Sequence, residues 1–129
     1  MMLFHGTSET DPQMVYACKE GFDKKYSQGG MWGEANYFAV NASYSDSYHH
    51  LAADGAKQMF YARVMIGNTI KCLPDADLKM PPPINAGNQI DKYDSVQGHT
   101  GGSDVFMIYE NKQAYPEYLI TYKWFIIHH

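Results

Sequence analysis

A chain of 129 residues is long enough for one hydrophobic core and too short for two. Its 45% hydrophobic content excludes a disordered polymer, and its formal charge of −4 lacks the basic face that nonspecific nucleic-acid binding needs. Two cysteines, Cys18 and Cys72, without CxxC spacing exclude a disulfide framework and read as free thiols in a reducing, intracellular compartment, cytoplasmic or nuclear.

In chain order, Met2 to His5 is expected to form a short buried strand ended by Gly6. Asp11 before Pro12 is an N-cap followed by proline at the first helical position. Met14, Val15 and Cys18 then give the segment to Glu20 one apolar face, and Gly21 ends it. Phe22 to Met31 has no periodicity and reads as a loop, and Tyr37 to Val40 as a short strand. Asn41 is placed to cap a helix carrying Tyr44, Tyr48 and Leu51 on one face.

Lys57 to Ile66 alternates as a long strand, with Phe60, Ala62, Val64 and Ile66 directed into the core. Residues 67–92 hold Pro74 and the run Pro81-Pro82-Pro83 and read as one long irregular stretch, a kind that is usually functional or mobile. Val105 to Tyr109 and Tyr118 to Ile127 are two further strands, and the closing His128 and His129 are given no role. Strands outnumber helices without regular alternation, so the class is α+β, a single domain over residues 1–129. No secretory signal, membrane-spanning run or lipidation motif is present, and the six histidines show no metal-ligand spacing.

Five segments carry the functional signal. They are Leu3-Phe4-His5-Gly6-Thr7, Trp32-Gly33-Glu34-Ala35-Asn36-Tyr37-Phe38-Ala39, Ala42-Ser43-Tyr44-Ser45-Asp46-Ser47-Tyr48, Tyr93-Asp94-Ser95-Val96, and Gln113-Ala114-Tyr115-Pro116-Glu117-Tyr118-Leu119-Ile120-Thr121-Tyr122. In this order and spacing the chain, from residue 3 to about residue 124, resembles the ADP-ribosyltransferase catalytic domain of the poly(ADP-ribose) polymerase type. The resemblance implies a compact split antiparallel sheet with NAD as co-substrate in the cleft between the halves, and no metal. It also implies an N-terminally shortened form, since Met1 lies only four residues before His5.

The resemblance further implies roles. His5 would hydrogen-bond the ribose next to the nicotinamide, and Gly6 would offer its backbone to the carboxamide. Thr7 would reach the distal ribose, with helix capping as its alternative. Tyr37, with Phe38 and Ala39 beside it, and Tyr48 would cover the two faces of the nicotinamide, and Ser45 would bond the carboxamide. Lys24, Lys25 and Tyr26 in the lid loop would meet the pyrophosphate or adenine, with solvated lysines as the alternative; residues 67–92 would lie on the acceptor side.

Two departures follow. Val105 stands where polymer-forming relatives carry a catalytic glutamate, and valine can neither accept a hydrogen bond from a ribose hydroxyl nor act as a base. Ala35 replaces a glycine; its methyl is tolerable if the backbone is extended, and otherwise narrows the nicotinamide pocket. The reading is therefore an NAD-dependent mono-ADP-ribosyltransferase with a protein acceptor, its own chain included. A nucleic-acid end as acceptor has no support from charge, and no membrane partner is implied. The alternatives are a catalytically silent NAD- or ADP-ribose-binding domain and, less well, an NAD hydrolase.

Overall fold

The structure, a computed structural model, describes residues 1–19, 21–27 and 29–123. The far ends of the expected first helix at Glu20 and last strand at Ile127, and the closing His128 and His129, lie outside the described residues. Strand β1 (Met2–His5) leads to helix α1 (Pro12–Tyr16), a 3-10 turn (Lys24–Tyr26), β2 (Asn36–Ala39) and helix α2 (Ala42–Asp46). Then come β3 (His50–Leu51), β4 (Lys57–Val64), β5 (Thr69–Lys71), β6 (Pro83–Asn85), β7 (Asn88–Lys92), β8 (Ser95–Thr100), β9 (Ser103–Ile108), a second 3-10 turn (Asn111–Gln113) and β10 (Ala114–Tyr122).

Eight strands form one sheet in the order β10-β4-β1-β2-β9-β8-β5, with β3 beside β4, while β6 and β7 form a separate hairpin. Every pairing is antiparallel except β5 with β8. The α+β class expected from sequence is the class observed.

The seam between β1 and β2 is thin. Phe4 and Ala39 are its one register pair, whereas β1 matches β4, and β2 matches β9, over four residues each. The sheet therefore divides functionally into a β10-β4-β1 half and a β2-β9-β8-β5 half, joined where His5 and Tyr37 face each other.

Strand alternation sends successive side chains to opposite faces, and each face carries a buried cluster. On one, Leu3, Phe60, Ala62, Val64, Phe38, Phe106 and Ile108 pack beneath Val15 and Phe22. On the other, Ala39, Val96, Val105 and Met107 pack with Trp32, Ala35 and Tyr109. Phe22, expected within a loop, is 2% exposed and is a core residue.

Three elements differ from expectation. Helix α1 stops at Tyr16: Asp11 accepts from the Gln13 N–H at 2.9 Å as anticipated, but past Val15 none of the described residues 16–19 is fully buried, and so short a helix needs such packing. Helix α2 stops at Asp46, so Tyr48 lies in the following turn, and Leu51 sits exposed in β3. Asn41 occupies the N-cap position without a capping bond and donates instead to Gly102 O at 2.9 Å. Residues 67–92 also carry β5, β6 and β7 rather than being wholly irregular.

Candidate active site

The seam opens into a cavity of about 560 Å³. His5, Gly6, Thr7, Tyr37, Ser45 and Tyr48, all singled out from sequence, line it together. Phe38, Ala39 and Val105 are not on its wall. Phe38 turns to the opposite face of β2 from Tyr37, and its ring stands 4.9 Å from His5 and 5.1 Å from Phe22. Ala39 and Val105, register partners across β2 and β9, are both 0% exposed and belong to the apolar cluster behind Tyr37 and Tyr44.

His5 ends β1, with its ring between Phe22 and Phe38. Its Nδ1 donates to the Tyr37 carbonyl at 2.5 Å. A carbonyl can only accept, so Nδ1 holds the proton and Nε2 holds the free lone pair. Burial lowers the His5 pKa to about 4, against the smaller opposing effect of the Tyr37 carbonyl. The imidazole is therefore neutral at physiological pH, with a hydrogen-bond acceptor available to a ligand hydroxyl.

Tyr37 is held at both ends. Its hydroxyl donates to Gly33 O at 2.9 Å and accepts from Trp32 N–H at 2.8 Å, which fixes the turn closed by Gly33 N–H on Gly30 O. Burial raises its pKa, keeping the phenol protonated. Trp32, 1% exposed, is in turn anchored by its indole N–H on Cys72 O at 3.0 Å and by the Tyr109 hydroxyl on its carbonyl at 2.6 Å. Trp32 is a wall residue that sequence reasoning left without a role.

Across the cavity stands α2. Ser45 is 3% exposed, and among the described residues its hydroxyl has no hydrogen-bond partner. The Tyr48 N–H reaches Ser45 O at 2.9 Å, continuing the helical turn far enough to keep both residues on the cavity side. The Tyr48 ring, about half exposed, lies 5.4 Å from that of Tyr44. Burial, then the neighbouring Tyr48 hydroxyl, pushes the Tyr44 pKa above the usual phenol range. Tyr44 also lines the cavity; it shares the helical face that sequence spacing assigns to Tyr48 but was given no site role.

Gly6 explains the closeness of the two parts. A Cβ there would lie 2.3 Å from Tyr48 O and 2.6 Å from Ser45 O, so the backbone of α2 and its following turn seats directly on Gly6. The Thr7 hydroxyl donates to Thr10 O at 2.7 Å; it pins the turn into α1 and does not cap the helix. Lys24 and Lys25 are not on the wall, whereas Tyr26 and the unremarked Asp23 are. Asp23 caps the 3-10 turn through the Lys25 N–H, a local pattern readable from an Asp ahead of a short turn.

Among the described residues no cluster of three or more His, Cys, Asp or Glu could hold a metal ion, and no helix is long and apolar enough to cross a membrane. The cavity wall offers the tyrosines Tyr26, Tyr37, Tyr44 and Tyr48, the Ser45 hydroxyl, and a neutral histidine acceptor. That set suits a flat polar heterocycle joined to a sugar.

Comparison with known proteins agrees. The profile of the poly(ADP-ribose) polymerase catalytic domain matches residues 1–124. A probable poly(ADP-ribose) polymerase of Dictyostelium discoideum is 38% identical over 123 residues, covering 94% of this chain and 33% of that protein. The human protein mono-ADP-ribosyltransferase PARP14 is 37% identical over 125 residues, covering 94% of this chain and 7% of its own. The mouse protein mono-ADP-ribosyltransferase PARP10 is 34% identical over 126 residues, covering 95% and 13%. The chain spans a third or less of the length of these relatives.

Proposed function

Because the chain belongs to the poly(ADP-ribose) polymerase catalytic domain family, we propose that it transfers a single ADP-ribose from NAD to a protein acceptor, its own chain included, and releases nicotinamide. The observation that carries this reading is the convergence of His5, Tyr37, Ser45 and Tyr48 on one cavity, with Val105 withdrawn from its wall.

The reaction breaks the bond between nicotinamide and ribose through a cationic, oxocarbenium-like sugar, and the leaving nicotinamide keeps the bonding pair. An acceptor oxygen then bonds to the ribose carbon. In this reading Tyr37 and Tyr48 hold the nicotinamide ring from either side, and the Ser45 hydroxyl bonds its carboxamide. His5 Nε2 accepts from a ribose hydroxyl and so fixes the sugar. These groups act by orientation and electrostatic fit rather than by exchanging protons.

Val105 decides between one unit and many. Elongation needs a carboxylate to orient and deprotonate the hydroxyl of a previous ADP-ribose. Val105 is 0% exposed within an apolar cluster, which supports transfer that stops after one unit onto an acceptor bringing its own ionised carboxylate. Two free thiols, Cys18 and Cys72, fit an intracellular setting.

Intact-mass spectrometry after incubation with NAD, beside His5→Ala, tests the reading. One discrete ADP-ribose adduct, absent from the variant, is the expected result. A ladder of adducts would overturn single-unit transfer. Absence of both adduct and released nicotinamide, with an added acceptor protein also unmodified, would overturn the enzyme reading.

A further inference from the structure

We propose that Tyr122 and Asp46 form a latch that positions Ser45 and Tyr48 against the nicotinamide, which makes Tyr122, on the edge strand β10, a positioning residue for donor binding. The inference rests on the reading of the cavity as the NAD site. Helix α2 has only five residues and is too short to be stable by itself, so its placement comes from what grips it. One grip is the seating of its backbone on Gly6. A second comes from β4 and β10, through Asp46.

The Tyr122 hydroxyl donates to Asp46 Oδ1 at 2.5 Å, and Lys57 Nζ stands 3.9 Å from the same oxygen. Tyr122 and Lys57 are register partners across β10 and β4, so two side chains of one rung converge on one carboxylate. Burial, then the bond to Asp46, raises the Tyr122 pKa above the usual phenol range, and the phenol stays protonated to donate. The Asp46 carbonyl is held as well, by the His49 ring Nδ1 at 2.7 Å. The same rung anchors the chain beyond the helix, because Leu51 in β3 pairs with Lys57 and His50 with Gln58. Tyr48 therefore lies on the short span between Asp46 and Leu51, both fixed at Lys57.

Ser45 directly precedes the gripped residue, and its carbonyl accepts from the Tyr48 N–H at 2.9 Å. A shift of Asp46 thus moves both side chains relative to His5 and Tyr37, which stand on β1 and β2. In the proposed reading Ser45 and Tyr48 meet the nicotinamide, while His5 meets the sugar. Loss of the latch loosens the nicotinamide wall alone, and the ligand must then order that wall as it binds. The effect falls on affinity for the nicotinamide part, not on the chemical step.

The test measures binding of nicotinamide and of ADP-ribose to the full chain by nuclear magnetic resonance titration, and initial rates with NAD, for Tyr122→Phe, Asp46→Ala and Asp46→Asn. Tyr122→Phe and Asp46→Ala should each weaken nicotinamide binding and raise the KM for NAD by about fivefold, with kcat and ADP-ribose affinity within about twofold. Combining the two should do no more than Asp46→Ala does, because both remove one bond. Asp46→Asn keeps an oxygen for the phenol and should recover part of the loss. Thermal unfolding of the same samples identifies any variant that fails to fold, and the other then carries the comparison. Binding of neither ligand by the unmodified protein would sink the reading of the cavity itself. Equal loss of both ligands, unchanged affinity for both, or strictly additive effects would overturn only the latch.

Discussion

The Nδ1–H of His5 and the backbone carbonyl of Tyr37, 2.5 Å apart, tie the two halves of the sheet together at their thinnest point. One bond thus sets the tautomer of the ring, its orientation, and the spacing of the two strands that flank the cavity.

The first prediction follows from the lowered pKa of His5. The unfolded chain takes up a proton near pH 6.5 and the folded chain only near pH 4, so between these values the unfolded state binds more protons. The contribution to stability is complete above pH 6.5 and is lost as pH falls toward 4, by about 3 kcal/mol. Urea unfolding at pH 7.5 and pH 4.5 should show this loss, and His5→Gln should lack that share of it. The same neutrality predicts a pH–rate profile without an inflection near 6.5. An activity loss titrating there would show that His5 is protonated in the folded chain.

Gly6 predicts a coupled failure of fold and site. Gly6→Ala drives a methyl into the Ser45 and Tyr48 carbonyls at 2.6 and 2.3 Å, and these are backbone atoms that cannot rotate aside. Destabilisation of about 2 kcal/mol or more is expected from such overpacking. The displacement of α2 should also raise the KM for NAD, since Ser45 and Tyr48 move together. A variant with ordinary stability and unchanged KM would show that the helix yields freely.

Val105 predicts that restoring a carboxylate will not restore elongation. Val105→Glu places an acid in the buried cluster with Trp32, Ala39, Val96 and Met107. The folded state should lose about 3 kcal/mol or more. Burial raises the pKa of such a glutamate, so the deficit should be smaller at pH 4 than at pH 8. Mass spectrometry should still show no ladder of adducts. A stable variant that makes polymer would mean that the side chain at this position reaches the donor.

The legible parts of this fold are those whose physics is local. Alternation in Lys57–Val64 disclosed β4 because Phe60, Ala62 and Val64 each meet the core while Arg63 remains exposed. Strand β8 was not legible: Gln97, Gly98, His99 and Thr100 have no apolar alternation, and Gly98 exists to admit Trp32, whose ring a Cβ there would meet at 2.1 Å. Six of the side chains and backbones that line the cavity, His5, Gly6, Thr7, Tyr37, Ser45 and Tyr48, were readable by resemblance. Yet which of Tyr37, Phe38 and Ala39 would face the cavity depended on pleat and seam, and neither is visible in a motif. Asp23 and Tyr44 were missed for a related reason, since each earns its place on the wall through partners far along the chain, Asn111 and Gly101 respectively.

Ala35 supplies the last prediction and corrects the expectation that its methyl narrows the nicotinamide pocket. The residue is 0% exposed, its side chain belongs to the cluster with Trp32 and Tyr109, and it is not on the cavity wall. Its carbonyl accepts from the Ser27 hydroxyl at 2.6 Å, so the backbone here ties the lid loop to the strand whatever the side chain. Ala35→Gly removes a packed methyl and adds unfolded-state freedom, a combined loss of about 1–2 kcal/mol. The KM for NAD should stay within about twofold, because less than about half a kcal/mol of binding is at stake. Thermal unfolding and initial rates on the same preparation separate the two effects. A stable variant with a markedly lower KM would return the methyl to the donor's path, and would mean that the turn at Gly33 shifts when NAD binds.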